Sequence, residues 1–168
     1  MLQINVSQLL KEPIGSIRDY RVSEVTDIAN GSSLIQGEVR LMRTDHGILV
    51  KGTLHTEIEL ICSRCLSSFS CPLTLDIEEE YFPTTNVVTG TSLPPPDDPE
   101  RFPIDGNNVL DLTEAVRQYA LLIIPMKPLC HEDCAGLCPT CGCNLNQAPC
   151  KCHIQPTDPR LSVLSKLF

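Results

Sequence analysis

Cysteine spacing constrains this chain more than any other feature. Two Cys-x-x-Cys pairs, Cys62/Cys65 and Cys138/Cys141, accompany Cys130/Cys134 four positions apart and Cys150/Cys152 two apart. Two sulfurs three residues apart can face one metal ion, and the intervening N–H groups can steady them as thiolates. The stretch Met1–Val6 shows no basic flank followed by an apolar run, so no signal peptide is expected and a reducing compartment is. There, metal ligation outranks disulfides. The economical partition is two structural zinc ions. Cys138, Cys141, Cys150 and Cys152 close one site; Cys62, Cys65, Cys130 and Cys134 close the other, tying a hairpin tip to a later segment. Other pairings of the clustered cysteines stay open, and His131 or His153 could replace a thiolate. Cys71 reads as a small apolar filler, and Cys143 as a bystander or alternate ligand.

The rest of the chain predicts an α+β fold: an antiparallel sheet with one main helix, a short C-terminal helix and Cys-rich zinc knuckles. Leu9, Leu10 and Ile14 suggest a short element ended by Gly15, and Tyr20–Val22 a short strand. Ser33–Arg43 reads as a strand, with a turn at Asp45-His46-Gly47 where glycine can take positive φ. Over 48–61, Ile48, Val50, Gly52, Leu54, Thr56, Ile58 and Leu60 alternate with mostly polar residues, the pattern of a half-buried strand. Leu73, Leu75 and Ile77 repeat it over 69–82, which places Cys62 and Cys65 at a hairpin tip. Residues 83–103 carry prolines at 83, 94–96, 99 and 103 and read as a Pro-rich surface loop within a single domain spanning 1–168.

Asp111-Leu112-Thr113-Glu114 predicts a helix start, with Asp111 as cap and Glu114 at the reciprocal position. Its apolar stripe is Leu112, Val116, Tyr119 and Ile123, flanked by Ala115 and Leu122, and Pro125 stops it. The knuckle region, 128–153, has no periodic apolar run, so its order must come mainly from ligands. Asp158-Pro159 predicts a short final helix that Leu161, Leu164 and Phe168 could dock onto the body.

Charge narrows the function classes. Thirteen basic groups face 21 acidic ones, a net of −8. Residues 1–100 hold 7 basic and 15 acidic groups; residues 101–168 hold 6 of each. A broad basic nucleic-acid face is therefore not expected, although a local patch is compatible. No run approaches a membrane-spanning length. Catalytic zinc keeps an open coordination position, and neither four-thiolate set leaves one. His46 falls in a turn and His55 on a polar strand face, while Glu78, Glu79 and Glu80 alternate sides and read as surface solubility. No phosphate-cradling loop or nucleophile elbow occurs, so no enzyme is expected. Gly142, Cys143 and Asn144 follow Cys141 where a redox motif would open a helix. Iron would fit four thiolates, but nothing in the sequence suggests electron transfer.

The block Pro128-Leu129-Cys130-His131-Glu132-Asp133-Cys134-Ala135-Gly136-Leu137-Cys138-Pro139-Thr140-Cys141-Gly142 carries a resemblance. So do Gly52 with Leu54, Cys62-Ser63-Arg64-Cys65-Leu66 with Phe69, Ile104-Asp105-Gly106, Asp111-Leu112, Ile124-Pro125, Asn144-Leu145-Asn146 and Asp158-Pro159-Arg160-Leu161. Together they resemble the cysteine-rich branch of the YceD-like family, the large ribosomal RNA subunit accumulation proteins, over roughly residues 20–168. Cys71 and Cys143 look like additions to that pattern. The resemblance implies a non-catalytic factor in large ribosomal subunit biogenesis; the start of the sequence shows no transit-like pattern, so the cytoplasm is expected rather than a plastid stroma. Such a factor would support 23S rRNA accumulation by binding rRNA or a pre-ribosomal particle. Candidate phosphate contacts are Arg64, Lys127, Lys151, Arg160 and Lys166. Phe69 reads as core rather than a base-stacking residue. Two other classes stay open: an acidic adaptor to a basic ribosomal or assembly protein without direct RNA contact, and a metal-handling or redox protein.

Overall fold

The computed structural model describes residues 2–28, 31–87, 89–93 and 101–152. They form two compact units: a sheet unit, residues 1–60 and 69–126, and a knuckle unit, residues 61–68 and 127–168. The anticipated C-terminal helix lies outside the described residues.

The sheet unit is α+β. Its strands are β1 (Gln3–Asn5), β2 (Ile17–Ile28), β3 (Gly31–Arg43), β4 (Ile48–Ile61), β5 (Ser68–Pro83), β6 (Phe102–Ile104) and β7 (Val109–Asp111), and its helix is α1 (Thr113–Ile123). A short 3-10 turn, Leu9–Lys11, follows β1. The sheet order is β1-β7-β6-β5-β4-β3-β2. β1 with β7, β2 with β3, β3 with β4 and β6 with β7 pair antiparallel, whereas β5 with β6 is parallel through Tyr81 and Phe102. Between β4 and β5, the contacts Lys51–Glu78, Thr53–Asp76 and His55–Thr74 advance in opposite directions along the two strands, so this pair too is antiparallel.

The alternation of β4 appears directly in its burial. Ile48, Val50, Leu54, Thr56, Ile58 and Leu60 are buried, while Lys51, Thr53, His55, Glu57 and Glu59 are exposed. Gly52 lies opposite Val39, and a Cβ there would sit 2.7 Å from Val39 Cγ1. The glycine is required by close strand approach. Gly47 is not left-handed as anticipated; a Cβ on it would strike the Tyr81 carbonyl, so its role is steric. Phe69 packs half-buried against the core.

Helix α1 departs from its expected stripe. Ala115, Val116 and Ala120 are its buried residues, with Leu112 buried just before it and Tyr119 half-buried. Ile123 and Leu122 are 41% and 82% exposed. The Asp111 carboxylate does accept the Thr113 N–H at 2.8 Å. Glu114, however, does not reach back; it takes two hydrogen bonds from Arg117 and one from Gln118. The acidic run is also more than a solvated face. Glu78 pairs with Lys51, Glu79 accepts the Tyr119 hydroxyl at 3.0 Å, and Glu80 accepts from Thr44 at 2.6 Å.

Candidate metal centres

Both Cys-x-x-Cys pairs fold into the same backbone knuckle. In the first, the Cys62 N–H donates to the Ser67 carbonyl at 2.9 Å and the Leu66 N–H to the Cys62 carbonyl at 3.0 Å. In the second, the Cys138 N–H donates to the Cys143 carbonyl at 2.8 Å and the Gly142 N–H to the Cys138 carbonyl at 2.9 Å. Each turn needs a left-handed residue after its second cysteine, met by Leu66 at φ 56° and Gly142 at φ 72°. The equivalence also places Cys143, whose sulfur belongs to neither group of four. It occupies the position of Ser67, where the backbone carbonyl closes the turn.

The structure brings eight cysteines into two groups of four, Cys62/Cys65/Cys130/Cys134 and Cys138/Cys141/Cys150/Cys152, with the sulfurs of each group within 4.8 Å of one another. All ten cysteines are free thiols. Cys62 and Cys134 sulfurs stand 3.8 Å apart, Cys65 and Cys130 3.7 Å, and Cys138 and Cys150 3.4 Å. A tetrahedral zinc with Zn–S of ~2.3 Å needs sulfur–sulfur edges of about 3.8 Å. The first group has that spacing in two of its edges. His131 stands outside both groups and contacts the Cys130 sulfur through Nδ1 at 3.1 Å. His153 lies outside the described residues, and Cys71 packs half-buried against the sheet core.

Electrostatics favours a cation in each group. N–H groups, chiefly that of Cys65, lower the Cys62 thiol to about 5 against the cost of burial. Cys138 falls to about 6 through the Cys141 and Thr140 N–H groups. Burial, then the neighbouring sulfurs, push Cys130 up to about 12, and Cys141 followed by burial raises Cys152 to about 12. Each group thus mixes sulfurs that N–H groups ease into the thiolate, Cys62 and Cys65 in one and Cys138 in the other, with a neighbour held as the thiol, Cys130 and Cys152. A dication at the centre favours the thiolate at every sulfur.

The surrounding hydrogen bonds fix the ligands. The Asn146 side chain donates to the Cys134 sulfur at 3.3 Å and accepts the Ala135 N–H at 2.7 Å. Sequence reasoning gave Asn146 no role; an Asn close to a ligand cluster is a weak signal by itself. Gly136 is left-handed at φ 76°, and a Cβ there would sit 3.2 Å from the Arg64 carbonyl oxygen. Asn144 donates to the Ser67 hydroxyl at 3.2 Å, joining the two knuckles. Arg64 donates from Nη1 to the Cys134 carbonyl at 2.9 Å while its side chain stays exposed. Lys127 and Lys151 are exposed as well. Arg160 and Lys166 lie outside the described residues.

The two units differ sharply in charge. The sheet unit holds 8 basic against 18 acidic groups, the knuckle unit 5 against 3. Among the described residues, the Lys and Arg side chains of the knuckle unit are Arg64, Lys127 and Lys151, three of the five candidate phosphate contacts.

A sheet with one main helix and a pair of four-cysteine knuckles defines a class of small α+β proteins with built-in metal-type clusters. Within that class, residues 50–168 match the family described as large ribosomal RNA subunit accumulation protein YceD, and the chain belongs to that family. Uncharacterized proteins of Mycobacterium tuberculosis and Mycobacterium bovis are each 28% identical over 136 residues, covering 81% of this chain and 63% of the relative. The maize (Zea mays) large ribosomal RNA subunit accumulation protein YCED homolog 1, chloroplastic, is 32% identical over 125 residues, covering 60% of this chain and 42% of its own. The chain thus spans less than two thirds of these relatives. No solved structure matches it. Among the described residues, no helix is long and apolar enough to cross a membrane.

Proposed function

We propose that this chain is a non-catalytic, cytoplasmic factor in large ribosomal subunit biogenesis, supporting 23S rRNA accumulation by binding rRNA or a precursor particle. Its two four-cysteine groups would each hold a structural zinc, Cys62/Cys65/Cys130/Cys134 one and Cys138/Cys141/Cys150/Cys152 the other. Zinc would supply a cross-link in place of a hydrophobic core, which the described knuckle residues lack. The observation that carries the RNA reading is the segregation of charge. A polyanion is steered towards the unit with 5 cations against 3 acids and away from the one with 8 against 18. Arg64, Lys127 and Lys151 are exposed there, and Arg160 and Lys166 complete the set; such cations position phosphate rather than read bases. Residues 1–168 would act as one functional domain.

Gradient sedimentation of the tagged protein, with in-cell crosslinking and sequencing of attached RNA, tests this. Co-migration with a large-subunit precursor and crosslinks mapping to the knuckle unit are expected. Protein remaining at the top of the gradient with no enriched RNA would refute particle binding. The acidity of the sheet unit favours a second reading, an adaptor that meets a basic ribosomal protein without touching RNA. Particle association lost on neutralising Glu57 and Glu59, with no RNA crosslink, would select it.

A further inference from the structure

Leu66 holds a left-handed backbone at φ 56°, a conformation that L side chains rarely adopt. Its side chain is 64% exposed, so burial does little to offset that strain. The other knuckle makes the same pair of closing hydrogen bonds with Gly142 at this position. Glycine would therefore close the first knuckle at lower cost, so the turn itself does not call for leucine at this position. Beside it, Arg64 is anchored through Nη1 to the Cys134 carbonyl at 2.9 Å, which holds the guanidinium at the knuckle, and among the described residues its other N–H groups have no partner.

We propose that Leu66 and Arg64 together receive an unstacked nucleotide of single-stranded RNA, with the base against the Leu66 side chain and a phosphate at the Arg64 guanidinium. This rests on the RNA-binding reading above and deepens it. Charge selects RNA over an apolar protein segment, since the knuckle unit carries 5 cations against 3 acids whereas the sheet unit carries 8 against 18. A splayed base offers a flat apolar face joined to an anion, the pairing that a leucine next to an arginine complements.

The test uses the full chain loaded with zinc, a short unstructured single-stranded RNA, and a duplex of the same sequence. Leu66→Gly and Leu66→Ala should each weaken single-strand binding about five- to tenfold, with little effect on the duplex. The glycine variant should hold zinc more tightly than wild type and the alanine variant should not, so loss of RNA affinity in both separates contact from folding. Neither should alter the salt dependence of binding, whereas Arg64→Gln should reduce its slope by about one. Leu66 variants that bind RNA like wild type, while Arg64→Gln weakens it, would overturn this inference and leave the proposed function standing. Leu66 variants that lose particle association but keep RNA affinity would also overturn it, in favour of a protein contact. A wild-type protein that binds no RNA would sink both.

Discussion

Replacing Tyr81 with phenylalanine should stabilise the sheet unit. Tyr81 is completely buried, its ring stacks on Phe102 with centroids 5.2 Å apart, and its hydroxyl has no hydrogen-bond partner among the described residues. A buried hydroxyl without a partner costs about 1–3 kcal/mol in lost hydration, and Tyr81→Phe removes that cost while keeping the ring. The expected gain is about 1–2 kcal/mol near neutral pH, a rise of about 2–4 °C in Tm per kcal/mol for a chain of this size. The gain should widen in alkali. Burial, helped by the carboxylates of Glu79 and Asp111, holds the Tyr81 phenol well above its ordinary value. A raised folded-state pKa gives stability that is complete below about pH 10 and lost as pH rises, because only the unfolded chain can release the proton. Each pH unit above 10 should therefore add up to about 1.4 kcal/mol to the difference between variant and wild type. Urea titrations of both proteins from neutral pH to pH 11, with the denaturant slope checked for constancy, measure this directly. A Tyr81→Phe variant less stable than wild type would refute the reasoning by showing that the hydroxyl is satisfied. A pH-independent difference would refute its titration.

Three further outcomes concern the knuckles. Cys138→Ser should lose about one of two zinc equivalents by elemental analysis and expose the C-terminal region to protease, since ligand loss unties only its own group. Asn146→Ala removes the donor to the Cys134 sulfur and the acceptor for the Ala135 N–H. It should weaken zinc retention about tenfold in a chelator competition. Gly142→Ala forces a Cβ into a left-handed turn and should cost about 1 kcal/mol, read as roughly fivefold weaker zinc in the same competition.

The central hairpin was legible because burial on one face enforces strict alternation, and in β4 every aliphatic read as inward is buried. Strand β2 was not. Only Tyr20–Val22 stood out of its twelve residues, because Val25 is 61% exposed and Ile17 52%, while the polar Thr26 is buried. β2 is an edge strand, where one neighbour and a half-open face relax the demand for apolar residues. β1, β6 and β7 each have three residues, too few for any period to register. At the end of α1, Leu122 and Ile123 matched the helical repeat but lie exposed, since periodicity gives no account of where the packing partner ends. The cysteine pairs announced themselves through spacing alone. The shared geometry of the two knuckles did not, because Leu66 and Gly142 look unrelated until their backbone angles are compared.

The two clusters also differ in how far apart along the chain their ligands lie, and this sets an order in time. Cys138 and Cys150 are 12 residues apart, whereas Cys65 and Cys130 are separated by 65. Closing the longer loop in an unfolded chain costs about 1.5 kcal/mol more entropy, and only a formed sheet unit removes that handicap. With zinc as the proposed ion, the local cluster would capture it as soon as Cys152 is made, while the split cluster would wait until the strands on either side of Cys62 and Cys65 have paired. Zinc uptake by the refolding chain should accordingly be biphasic, its slow phase tracking sheet formation, so that a filled second site certifies a completed fold.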